Sequence, residues 1–151
     1  MDNSKLVELR KTREFFGETK KSLSISGTFR KIIEEKMKNM HCNSVIFCNK
    51  TGLNKTILSE MKKEDYRPQL KTVVSICVGL KFEYVISEKL LEAAGYKLVM
   101  TRDIDCAYYM FLIDCKNSKL EIEDYNEILK AWVFDKKHFL GSQERLYVNE
   151  K

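Results

Sequence analysis

Lys55, Thr56, Ser59 and Glu60 recur at the one-, three- and four-residue steps that gather polar groups on one side of a helix. An ammonium, two hydroxyls and a carboxylate so placed form a set of hydrogen-bond donors and acceptors. Such a set suits base edges and phosphate oxygens better than bond-breaking chemistry. Just before them, Thr51-Gly52-Leu53-Asn54 places a glycine where a helix ends and an asparagine where the next one is capped. Apolar residues for the crossing of two such helices are at hand in Phe47, Cys48, Leu53, Leu58 and Met61. Two short helices about a glycine corner, the second with a polar outer face, are the build of a helix–turn–helix that lays one helix in the DNA major groove.

Other reactive side chains form no comparable set. The carboxylate clusters Glu34-Glu35, Asp103–Asp105 and Glu121-Ile122-Glu123-Asp124 sit in helical patterns and read as solvated faces rather than as acid–base pairs. His138 has no nucleophile near it in sequence, and His41 falls in a turn. The five cysteines, Cys42, Cys48, Cys77, Cys106 and Cys115, are odd in number and contain no Cys-x-x-Cys pair. They are expected as buried reduced thiols, with no metal site. Glycine-rich phosphate loops, His-Glu-x-x-His and Gly-x-Ser-x-Gly are absent from the sequence. Neither an enzyme nor a cofactor is expected.

The elements that must position Lys55–Glu60 are helices. Residues 5–16 predict a short basic helix, and 17–27 a polar connection with a short extended piece at Leu23-Ser24-Ile25. Phe29, Ile32, Ile33, Met37 and Met40 predict a helix capped by Thr28. Asn43 then caps a helix over Ser44–Lys50, Gly52 ends it, and Asn54 caps the next, over Lys55–Lys62. Pro68 closes the loop that follows. Further helices are expected over Leu70–Leu80, Glu83–Ala94, Asp103–Cys115 and Glu121–Ala131, with the tail docked through Phe139, Leu140 and Leu146.

One proline and six glycines in 151 residues leave little punctuation, and the expected class is all-α. Three stretches are expected: a basic arm and linker over 1–27, the helix–turn–helix domain over 28–95, and a small helical C-terminal subdomain over 96–151. Lysine and arginine exceed aspartate and glutamate by about 8 in the first 82 residues and fall about 3 short in the rest. A basic half beside an acidic half fits a nucleic-acid-facing module with a partner-facing extension. Neither a secretory signal nor a membrane span is visible, so a cytoplasmic protein away from the membrane is expected.

Lys50-Thr51-Gly52-Leu53-Asn54-Lys55-Thr56-Ile57-Leu58-Ser59-Glu60-Met61, followed by Arg67-Pro68-Gln69-Leu70-Lys71-Thr72-Val73-Val74-Ser75-Ile76-Cys77-Val78-Gly79-Leu80, resembles the lambda-repressor-like, Cro/C1-type (XRE) helix–turn–helix family. The resemblance spans Phe29–Phe82, and it implies a five-helix domain that binds a double-stranded DNA operator as a phage or bacterial transcription regulator. Lys55, Thr56, Ser59 and Glu60 would read bases, with Ser44, Asn54, Lys62, Lys63 and Arg67 near phosphates. Such domains often work as homodimers. The chain departs from the family at Lys63-Glu64-Asp65, where Asn-Gly-Lys is common and where carboxylates oppose a polyanion. With Glu60 and Ile57, that loop motivates an alternative: an anti-defence-type protein of a mobile element that uses the scaffold to bind a host protein. Ile57, Tyr109 and Trp132 are the residues of that partner surface, and Tyr109 and Trp132 fit core or surface equally.

Overall fold

The computed structural model describes the backbone of residues 25–142 and the side chains of residues 28–142. Among the described residues there are seven α-helices and no strand. They are α1 (Ile25–Asn39), α2 (Ser44–Thr51), α3 (Thr56–Glu60), α4 (Leu70–Gly79), α5 (Tyr84–Ala93), α6 (Asp103–Asp114) and α7 (Ile122–Ala131). Short 3-10 turns follow at Cys115–Asn117 and Lys136–His138. No helix among the described residues is long and apolar enough to cross a membrane. The expected basic helix over 5–16, and Leu146 in the tail, lie outside the described residues.

Helix α4 is the axle. Every residue from Thr72 to Val78 is buried, so this helix has no solvent face, as expected of a run dominated by valine, isoleucine and cysteine. Helix α2 packs along it on one side, α5 and α6 on others, and α7 closes the bundle, while α1 lies against α5. Phe29, Ile33, Phe47, Ile76, Leu90, Tyr108, Leu112, Ile122, Tyr125 and Leu129 belong to one hydrophobic cluster that continues across residue 95. The apolar positions expected to face inward mostly do. Leu70, Ile104 and Ile128 are half-buried, and Trp132 is 47% exposed.

Two local expectations are corrected. Thr28 does not cap α1, because the helix already runs from Ile25, including a residue expected to be extended. A glycine inside a helix costs only about 1 kcal/mol relative to alanine. Gly27 therefore does not stop a helix whose next turns are anchored by buried Phe29 and Ile33. Asp105 is likewise not solvated. It is buried and its carboxylate accepts from Val99 N at 2.8 Å, tying the loop before α6 to the helix.

The helix ends share one device. In α1, α4, α5 and α7 the backbone N–H three residues beyond the helix returns to a carbonyl five residues earlier: Cys42 to Met37 (2.8 Å), Phe82 to Cys77 (3.0 Å), Tyr96 to Leu91 (2.8 Å) and Phe134 to Leu129 (2.9 Å). Each of these closing residues is apolar or aromatic and packs on the core, which completes the Schellman pattern. The left-handed residue in between is Gly95 in α5, but His41, Lys81 and Val133 in the other three, at φ of 53°, 54° and 65°. Val133 combines a branched β-carbon with 88% exposure, so no contact offsets its strain.

Two substitutions test this packing with opposite signs. Val133→Gly should raise unfolding free energy by about 1 kcal/mol, the usual cost of a left-handed non-glycine residue. Gly79→Ala would normally strengthen a helix. Here a β-carbon at Gly79 would lie 2.8 Å from Lys50 C and Thr51 Cα of α2. Urea titration should show Gly79→Ala destabilising by about 1–3 kcal/mol, the range for overpacking. A gain instead would mean that α2 and α4 are further apart than described.

Candidate nucleic-acid interface

The segment that carries the polar set is built from a helix end. Asn43 caps α2, its Oδ1 accepting from Ile46 N at 2.9 Å, as its sequence position suggested. The helix closes at Gly52, whose φ of 71° is left-handed and whose N–H donates to Cys48 O. Thr51, buried completely, makes the corner: its hydroxyl donates to Phe47 O at 2.8 Å and accepts from Leu53 N at 3.2 Å. This was not foreseen from the sequence, although a buried threonine beside a corner glycine is a signal for it.

Asn54 was expected to cap α3, and it does not. The helix starts one residue later, after Lys55, and makes no side-chain cap hydrogen bond. Asn54 contributes its backbone carbonyl to Ile57 N, while its side-chain amide turns to Ser142 Oγ at 3.5 Å. The physical reason lies beyond the motif: the chain near residue 142 passes close enough to take the amide.

Ser44, Asn54, Lys55 and Thr56 come together around one surface recess of about 490 Å³, which Val45 and Cys48 also line. Ser44 is the first residue of α2, and all four polar residues are exposed. A second recess of about 310 Å³ flanks α3 and is lined by Thr56, Ile57, Glu60 and Lys71 together with Gly141 and Ser142. Ser59, Lys62, Lys63 and Arg67 are exposed but line neither recess. Arg67 also donates to Tyr66 O at 2.9 Å, so its guanidinium is partly held by the backbone. Glu60 is half-buried beside Tyr66, whose hydroxyl is pushed up to about 12 by burial first and by the Glu60 charge second. Glu64 and Asp65 are exposed.

The three residues expected on a partner surface are scattered. Ile57 is half-buried and packs on the core. Tyr109 is half-buried, edge-on to Tyr84 with ring centroids 5.4 Å apart. Trp132 stacks on Phe111 at 6.1 Å with much of its ring in solvent.

Leu140 docks as expected and is fully buried, but the path of the segment onward to the corner was not foreseen. Asn126 on α7 grips Leu140 through both backbone groups, accepting from its N–H at 2.6 Å and donating to its carbonyl at 3.0 Å. Gly141 N then donates to Ser75 Oγ at 2.8 Å, and Ser142 N to Gly52 O at 2.7 Å. Glu121 and Asp124, expected as a solvated acidic run, form the reciprocal capping box that starts α7.

Comparison of the chain with protein-family models, curated proteins and solved structures returns no match. Among the described residues no three His, Cys, Asp or Glu side chains gather as metal ligands do. Cys42, Cys48, Cys77, Cys106 and Cys115 are free thiols, and all but Cys106 are buried. Burial pushes the Cys77 thiol up to about 12 and the Cys115 thiol up to about 11.

Those thiols yield a pH dependence. The ordinary value of these thiols is 9.0, so an unfolded chain ionises them where the folded chain does not. The stability they contribute is full below pH 9 and is lost as pH climbs through 11 to 12. The urea midpoint should therefore fall between pH 9 and 11. At pH 8 a thiol reagent should leave Cys77 and Cys115 untouched until urea opens the core. Rapid labelling of both in the native protein would contradict the described burial.

Proposed function

We propose that the chain is a sequence-specific DNA-binding transcription regulator of the lambda-repressor-like kind, with α3 read into the major groove and residues 96–142 forming a helical extension. The observation that carries this reading is the convergence of Ser44, Asn54, Lys55 and Thr56, all exposed, on one recess where α2 and α3 begin. Polar side chains at two helix starts can share a single duplex, one reaching the backbone and the other base edges. Five helices, α1–α5, within 25–93 support the five-helix fold that the sequence resemblance implies.

In this reading Lys55, Thr56, Ser59 and Glu60 contact bases. Lysine pairs with guanine acceptors, and a carboxylate accepts from the cytosine amino group. Ser44, Asn54, Lys62, Lys63 and Arg67 lie near phosphates. Two copies would read half-sites one helical turn apart as a homodimer in the cytoplasm.

A second reading has its own support. Of the exposed large apolar residues, Val99, Met100, Met110, Ile113, Trp132 and Val133 lie in the extension, against Val45 and Val85 elsewhere. An apolar, acidic extension is suited to a protein partner, either a second copy or a host protein.

The deciding experiment is a binding titration of the purified chain against its own upstream DNA and scrambled DNA from 50 to 200 mM salt. Contact with about four phosphates weakens binding roughly 10²-fold over that range. Lys55→Glu should cost at least about 10-fold, the scale of one base contact. Binding of a host protein that ignores Lys55→Glu but is lost in Trp132→Ala, with no selective DNA binding at any salt, would replace the first reading by the second.

A further inference from the structure

We propose that residues 140–142 are a clasp through which the C-terminal extension positions the helix–turn–helix corner, with Asn126, Ser75 and Gly141 as its positioning residues. For its functional half the proposal rests on α3 being the DNA-reading helix.

The clasp crosses the whole chain. Asn126 holds Leu140 by both its backbone groups, and Leu140 is fully buried, so the segment is fixed at one end by α7. Ser75, in the middle of the buried axle helix, donates its hydroxyl to Lys71 O at 2.6 Å and accepts from Gly141 N at 2.8 Å. Ser142 N reaches the corner carbonyl, Gly52 O, at 2.7 Å, and Ser142 Oγ is within 3.5 Å of the Asn54 amide. Helices α7 and α4 thus hold residues 140 and 141, and residue 142 reaches the residue about which α2 and α3 turn.

The approach is backbone against backbone. A β-carbon on Gly141 would lie 3.0 Å from Gly52 O and 3.2 Å from Gly52 Cα, and Gly141 sits at φ 78°. A β-carbon on Gly52 would in turn meet Gly141 Cα at 3.2 Å and Ile122 Cγ2 at 3.3 Å. A side chain at either position would push the neighbouring backbone aside by a few tenths of an ångström, at angles that glycine adopts without strain. Gly52 is therefore needed twice, as the left-handed end of α2 and as the seat of the clasp. Helix α3 has five residues, of which Ile57 and Leu58 lie partly buried against the core, with Met61 buried just after it. Those contacts hold one side of α3, and the corner with what holds it fixes the end at which α3 starts.

The test is amide hydrogen exchange on the full chain, read beside DNA affinity, for Gly141→Ala, for Asn126→Asp and for a chain ended after Ser142. Gly141→Ala should speed exchange at Leu53 and Ile57 at least about 10-fold relative to the amides of Val74–Val78. DNA affinity should fall in step. Asn126→Asp keeps the side-chain volume and an acceptor but loses the donor to Leu140 O, so it should show a weaker form of the same pattern. It remains informative if Gly141→Ala does not fold. The chain ended after Ser142 should match the full chain in both measurements.

Exchange that quickens equally at the corner and in α4 would overturn the proposal by making the contact a general anchor. Unchanged DNA affinity beside a loosened corner would overturn it too. If the unaltered chain binds no DNA yet Gly141→Ala loosens the corner alone, the clasp stands and the DNA reading falls. If the unaltered chain binds DNA and the corner is unmoved, the clasp alone falls.

Discussion

Residues 72–78 of α4 give up water on every side, and the rest of the molecule is arranged to accommodate that. A helix without a solvent face needs neighbours all round, which α2, α5, α6 and α7 supply. It must also satisfy any polar group that it carries inside, since an unmade buried hydrogen bond costs about 1–3 kcal/mol. Ser75 is that group, and it is satisfied partly within its helix and partly by Gly141. Gly79, one turn further along the same face, sets the spacing where α2 crosses close enough to exclude a side chain. One buried helix thus fixes both the distance to α2 and the path of the C-terminal segment.

The exposed polar set follows from those two constraints. Helix α2 ends where it meets α4, and Thr51 turns its hydroxyl both backward to Phe47 and forward to Leu53. Beyond the corner, α3 packs on the core through half-buried Ile57 and Leu58, while the corner at which it starts is held by the C-terminal segment. Residues 96–142 are therefore not a separate addition to the first five helices. Ser142 N donates to the carbonyl of Gly52, and Lys81 just after α4 donates to Leu120 O at 3.0 Å, joining the two halves at a second place.

The helical content and most inward-facing positions were legible because they depend on spacing, which a sequence displays directly. So were Asn43 as a cap and Gly52 as a terminus, each being the residue type its backbone angles favour. Helix ends at His41, Lys81 and Val133 were harder, because these residues hold left-handed angles that glycine usually takes. There the buried residue that follows, such as Phe82, closes the helix by packing. The polar set was legible as exposed residues, but its supports were not. Asn126 and Ser75 look like ordinary helix residues until residues 140–142 are brought beside them, and Asn54 looks like a cap until Ser142 takes its amide. Contacts made between residues nearly 90 positions apart leave no local pattern to read.

Charge decides how such a surface could act on DNA. From Lys55 to Arg67 there are four cationic side chains and three carboxylates, so the face carries about +1 while the whole chain carries +5. Glu64 and Asp65 are exposed where phosphates would approach, and Glu60 is half-buried at the end of α3. A face so balanced releases few counterions, and the nonspecific part of its affinity is correspondingly small. Discrimination then rests on base contacts from Lys55, Thr56 and Ser59, each worth about 1–3 kcal/mol at best. One copy on one half-site gains little from such a sum. Two linked copies turn the second contact into an intramolecular one and recover affinity without adding charge. The apolar residues exposed on the extension are where the sequence offers material for that link, and the clasp joins that same extension to the helix that would read the bases.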